Sequence, residues 1–139
     1  EEGPASGRSP EASEREAAQQ GNWENRRMVM EMRRERKENM RGGDGYVLLD
    51  HILEKEALGE KCKMYARVTL EKGCSIGYHE HCGESETYFI LSGHGFYNDD
   101  GTEQVVWSGD VTYTSDGHGH GISNAGEEDL VFMALILAQ

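Results

Sequence analysis

Two histidines and a glutamate that one metal ion could take together fall within one short stretch, GCSIGYHEHCGESETYFILSG, residues 73–93. His79 and His81 are two apart, so on an extended strand both imidazoles leave the same face. Glu86 follows after Cys82-Gly83-Glu84-Ser85, a length and composition suited to a hairpin connection that returns the next strand beside the first. Its carboxylate then lands next to the imidazoles. A second turn-rich stretch, GDVTYTSDGHGHGISN, residues 109–124, supplies His120. Neutral imidazoles with one carboxylate suit a first-row divalent metal, and four protein ligands leave positions open on a six-coordinate ion. His79, His81, Glu86 and His120 are thus candidate ligands of one divalent transition metal, with Mn, Fe, Ni and Zn all open.

Further side chains are placed by parity. Tyr88 and Ile90 share parity with Glu86 and should point into the interior; Tyr113 is a second tyrosine expected to approach the cavity. In KMYARVTL, residues 63–70, Met64, Ala66, Val68 and Leu70 form one face and Tyr65, Arg67 and Thr69 the other. Arg67 is a candidate for a substrate carboxylate if the second face is the inner one. His118, two residues from His120, is an alternative ligand, an acid-base group at the site or a solvent-facing residue, and Gly117 and Gly119 favour the last. Cys82 has opposite parity to His81 and points away. No Ser-His-Asp arrangement, phosphate-binding glycine loop or nucleotide motif is present, and no catalytic residue can be named.

The elements that must position these residues are short strands. Runs at 46–51, 63–70, 95–98, 102–107, 111–114, 122–124 and 129–137 flank the two candidate ligand strands, and residues 54–60 read as one helical turn. Asp99-Asp100-Gly101 is a strong hairpin signal. Many short strands at even spacing, punctuated by Gly and Asp turns, argue an antiparallel barrel or jelly roll, whose interior holds one small ligand. Residues 22–45, with 7 basic and 5 acidic side chains, form a charged N-terminal arm. Its composition supports a helix, whereas Met28, Met30 and Met32 at period two support a strand; both stay open. Residues 1–21 lack bulky apolar side chains and are expected to be an acidic, disordered tail. The barrel is assigned to 46–139.

A chain of 139 residues favours one domain. Its net charge is -12, and residues 46–139 carry 16 acidic against 5 basic side chains. Such a surface suits neither nucleic acid nor anionic membrane. The longest apolar run, Leu130 to Ala138, is nine residues, too short to span a bilayer. Three cysteines, an odd number, without an apolar leader point to reduced thiols and a cytoplasmic setting. Unpaired edge strands favour a homodimer, with residues 22–41 crossing to the partner as one route.

The spacing Gly73, His79, His81, Glu86, Gly93 resembles the first conserved motif of the cupin superfamily. Gly109, Asp110, Gly117, His120 and Asn124 match the second, with Ser115 where the family usually has proline. The resemblance covers roughly residues 46–137. It implies an all-β fold, the antiparallel double-stranded β-helix or cupin jelly-roll barrel, here with an N-terminal extension. It also implies metal-dependent activity on a small polar or chelating metabolite, of dioxygenase, isomerase, lyase or decarboxylase type, or else a non-catalytic metal and small-molecule binding or sensor role. A metal ion in an enclosed cavity strengthens short-range attraction to small oxyanions, so a 2-oxo acid or a dicarboxylate is the expected ligand class.

Overall fold

Alternation decides which face of each strand is buried. Along residues 62–70, Ala66, Val68 and Leu70 are buried while Tyr65 and Arg67 lie on the other, wetter face. The apolar face is thus the inner one. The structure, a computed structural model, describes Glu11 and residues 29–139. The tail expected at 1–21 lies outside the described residues apart from Glu11.

Strand β1 is Arg33–Glu38, followed by a 3-10 turn at Met40–Gly42. Then come β2 Tyr46–His51, the four-residue helix α1 Lys55–Leu58, β3 Cys62–Leu70, β4 Ser75–Glu80 and β5 Glu84–Ser92. The chain continues with β6 His94–Asp99, β7 Thr102–Trp107, β8 Val111–Thr114, β9 Gly119–Asn124 and β10 Leu130–Ala138. The β6–β7 hairpin turns on Asp100 and Gly101, both at positive φ (52° and 99°), as a two-residue type I′ connection requires.

Two antiparallel sheets face each other. One has six strands in the order β1-β2-β3-β10-β5-β8, the other four in the order β4-β9-β6-β7. The fold is an all-β, antiparallel double-stranded β-helix with an N-terminal extension. Between the sheets lie Leu49, Val68, Ile76, Ile90, Ile122, Phe132 and their neighbours, all nearly inaccessible. Each such side chain contributes roughly 1.5–3 kcal/mol by burial. The same inner face, towards one end, carries the polar residues His81, Glu86, Thr114 and His120, also buried.

Of the two conformations open for the N-terminal arm, residues 33–38 take the strand. They pair in register with β2 of the same chain, Arg33 opposite His51 through Glu38 opposite Tyr46, and so extend the six-stranded sheet. After β1 the chain must turn sharply onto β4. Asn39 and Arg41 adopt left-handed conformations there. The approach is so close that a Cβ on Gly43 would strike the Ser75 carbonyl and one on Gly77 the Arg41 carbonyl, so glycine is required at both positions. Cys62, Cys74 and Cys82 are free thiols, and no helix among the described residues is long and apolar enough to cross a membrane.

Candidate metal centre

His79 sits near the end of β4, directly opposite His120 on β9. The ladder between these strands is irregular between Ile76 and His79, which swings the strand end towards the second sheet. His81 follows β4 and is fixed by its backbone: its N–H donates to the His118 carbonyl (3.0 Å), and its carbonyl accepts from the Gly117 N–H (2.8 Å). The reversal through Gly83, at φ 75°, brings Glu86 of β5 alongside. Asp116 caps this turn by accepting from the Gly83 N–H at 2.6 Å, so the two motif loops hold each other.

The ligand atoms of His79, His81, Glu86 and His120 all lie within 4.8 Å of one another. Glu86 Oε1 is 2.9 Å from His120 Nε2, 3.1 Å from His81 Nε2 and 4.0 Å from His79 Nε2. On each ring the other nitrogen is already engaged. His79 Nδ1 meets the Gly77 carbonyl at 2.8 Å, His81 Nδ1 the Glu84 carboxylate at 2.8 Å, and His120 Nδ1 the Tyr97 hydroxyl at 2.9 Å. Carbonyl and carboxylate oxygens only accept, so Nδ1 of His79 and His81 carries the proton, an assignment made from the partners. Their Nε2 lone pairs therefore converge on the same point as the Glu86 carboxylate. Three acceptors aimed at one buried point call for a cation, and outer hydrogen bonds of this kind are what orient metal-ligating histidines. The residues present fit a divalent transition metal.

Where Nε2 of His81 or His120 carries a proton, it donates to the Glu86 carboxylate instead. Burial pushes the Glu86 carboxyl up, but hydrogen bonds to His120 and His81 outweigh it and hold the group at about 2. The hydrogen bond to Glu86 raises His81 despite burial, while burial lowers His79.

Tyr88, opposite Thr112 on β8, is buried and stacks on His120 with centroids 4.8 Å apart, so it forms a wall of the site. The cluster opens on a cavity of about 60 Å³ lined also by Met40, Arg41, Leu49, Met64, Val68, Ile76, Glu84, Ala134 and Ile136.

Other expected site residues lie elsewhere. Tyr113 is 60% exposed on the outer face of β8; the inward positions are its neighbours Thr112 and Thr114, because Thr114 Oγ1 hydrogen-bonds Tyr97 at 3.0 Å. Arg67 is on the outer face of β3, where Asp50 binds it at 3.1 Å. His118 is exposed, its Nδ1 3.0 Å from Asp100, and its side chain takes no part in the cluster. Glu84, Tyr97 and Arg41 were not singled out by sequence reasoning. In the sequence Glu84 reads as part of a polar turn, Tyr97 as part of an ordinary hairpin strand and Arg41 as part of a charged arm.

A family model described as a cupin domain matches residues 66–136. The oxalate-binding protein of Thermotoga maritima is 46% identical over 103 residues, covering 74% of this chain and 85% of the relative. The chain belongs to the cupin family. Among solved structures, a predicted oxalate decarboxylase from Thermotoga maritima aligns with a TM-score of 0.77 and 43% identity, covering 81% of this chain and 100% of that one. A Klebsiella pneumoniae protein with a double-stranded β-helix domain aligns at TM-score 0.59 and 22% identity, over 66% of this chain and 76% of its own, a likeness of fold alone.

Proposed function

We propose that this chain binds one divalent transition metal through His79, His81, Glu86 and His120, and uses it to hold a short chelating dicarboxylate of the oxalate class. The observation that carries the reading is the convergence of two fixed Nε2 lone pairs, a third imidazole and one carboxylate at the floor of a cavity of only about 60 Å³. The relatives' names, oxalate-binding protein and predicted oxalate decarboxylase, point to the same ligand class.

A bound divalent ion supplies Lewis acidity and open positions for a chelate. The chain's own residues shape the rest. Tyr88 closes one side as a neutral phenol, since burial and then the Glu86 charge push its hydroxyl well up. Leu49, Val68, Ile76 and Ala134 make much of the wall apolar, which lowers the local dielectric and strengthens charge interactions beside it.

Binding is favoured over turnover by the state of Glu84. Decarboxylation of such an acid ends with a proton delivered to carbon. Glu84 is the one carboxyl lining the cavity besides the ligand Glu86. It is committed to His81 at 2.8 Å and to Lys63 at 3.1 Å. Burial pushes Glu84 up, and His81 and Lys63 outweigh that and hold it below the usual carboxylate range. It is a poor acid for that step.

Elemental analysis should find one divalent metal per chain, and His81→Ala with Glu86→Ala should lose it. Calorimetry should detect oxalate binding to the metal-loaded protein and none to the chelator-stripped protein. Equal binding by both forms would sink the reading. We also propose a homodimer formed through the barrel, and a cytoplasmic setting, with which the free thiols Cys62, Cys74 and Cys82 are compatible.

A further inference from the structure

Arg41 is held at the metal cavity by an unusual backbone. It occupies a left-handed conformation (φ 56°, ψ 29°) inside the 3-10 turn, a region that a residue with a Cβ enters only at a steric cost. Two glycines, Gly43 and Gly77, exist in forms that permit this turn to dock on β4. A strained residue persists where its surroundings over-determine it, and such residues gather at ligand sites.

The cavity gives the strain a chemical meaning. Among the side chains lining it, Arg41 is the one permanent cation. Among the described residues it has no hydrogen-bonded or ion-paired carboxylate, although Arg33, Arg34, Arg36 and Arg67 each have one. Arg41 lines the cavity and is itself exposed, so a ligand arriving from solvent can reach it.

An ion bound by three neutral imidazoles and one carboxylate keeps a formal charge of +1, whereas a dicarboxylate brings -2. The remaining negative charge must be met within a half of the chain that is strongly acidic. The rest of the lining is apolar apart from the neutral Tyr88 phenol and Glu84, which is acidic and engaged. A guanidinium fork matches carboxylate geometry and stays charged at all working pH values.

We infer that Arg41 is the second anchor of the site, pairing with the ligand charge that the metal leaves unbalanced, and that it makes the cavity prefer short dicarboxylates to monocarboxylates. The inference rests on the proposed metal-bound dicarboxylate.

The test is calorimetry on the full chain loaded with Mn(II), titrated with oxalate and separately with formate. Arg41→Asn is the main variant, because asparagine tolerates the left-handed backbone, and Arg41→Lys keeps the charge without the fork. Loss of one charged hydrogen bond predicts oxalate affinity about ten- to a hundredfold weaker in Arg41→Asn. Formate affinity should change less than about threefold and Mn(II) stoichiometry not at all, with Arg41→Lys falling between Arg41→Asn and the wild type. Arg41→Asn binding oxalate as the wild type does, or losing oxalate and formate equally, would overturn the assignment. Failure of the wild type itself to bind oxalate when loaded would overturn the proposed function as well, and is read before any variant is made.

Discussion

The Tyr97 hydroxyl lies between two inner-face side chains, 2.9 Å from His120 Nδ1 and 3.0 Å from Thr114 Oγ1. A consistent proton arrangement for metal binding has His120 Nδ1–H donating to Tyr97 and the Tyr97 hydroxyl donating to Thr114. The lone pair of His120 Nε2 is then free for an ion. Strand register builds this arrangement, since Thr114 stands opposite Glu86 and His120 opposite Asp99, two residues beyond Tyr97.

Tyr97→Phe keeps the ring in the core and removes only the orienting oxygen. Loss of such an outer partner costs about ten- to a hundredfold in metal affinity. Competition with a chelating dye should show that loss while the metal-free protein melts within a few degrees of wild type. Unchanged affinity would mean that packing against Tyr88 alone orients His120.

The protonation states of the cluster give a pH dependence with a definite sign. His81 is raised by its hydrogen bond to Glu86, so its contribution to metal-free stability is full below the ordinary histidine value of about 6.5 and is lost as pH rises through the higher folded value. Protons and metal compete for the same Nε2, so metal affinity grows over the same interval. The metal-induced rise in melting temperature should therefore increase from about pH 6 towards pH 8. A rise that is flat across that interval would show that His81 is not a ligand.

Much of the cluster was legible because β-strand parity is a strong constraint. His79, His81, Glu86 and Tyr88 fall on the inner face wherever one face of the strand is buried. Parity alone could not say which face of β3 or β8 was inner. On β3 the apolar set won. On β8 two threonines point inward, against hydrophobic pattern, because Thr114 is needed by Tyr97. Arg41 escaped because a left-handed residue in a tight turn has no periodic signature, and the pair of glycines that admits it, Gly43 and Gly77, is visible only once β4 is beside the turn. Gly43 and Gly45 are there for close approach, Gly45 against the Cys74 thiol.

Arg67 has a structural task that separates it from ligand recognition. Asp50, 3% exposed, accepts from Arg34 at 2.8 and 3.1 Å and from Arg67 at 3.1 Å, tying β1, β2 and β3 together. The hydrogen bond to Arg34, opposed by burial and helped by Arg67, lowers the Asp50 carboxyl. Its contribution is present above the unfolded value of about 3.9 and is lost as pH falls through the lower folded value. Asp50→Asn should cost about 1–3 kcal/mol at neutral pH and flatten the acid limb of the stability profile. Oxalate affinity should be untouched by Arg67→Met; a tenfold loss there would return Arg67 to the site.

The remaining question is what covers the outer face of the six-stranded sheet. Phe89 stands opposite both Met133 and Val111, and Thr87 opposite both Leu135 and Tyr113. This makes a continuous, uncharged patch over β10, β5 and the edge strand β8, with Phe89 44%, Val111 63% and Tyr113 60% exposed. In a chain of net charge -12, two copies repel each other least where neither presents a carboxylate. An isologous contact needs the same patch twice, and about 800 Å² per partner makes a stable pair. Light scattering at micromolar concentration should give twice the chain mass. Val111→Glu with Tyr113→Glu should reduce it to one chain with metal content unchanged, while Phe96→Glu on the opposite sheet should leave the dimer intact. A monomeric wild type would remove the homodimer, and a dimer lost only with Phe96→Glu would move the interface to the four-stranded sheet.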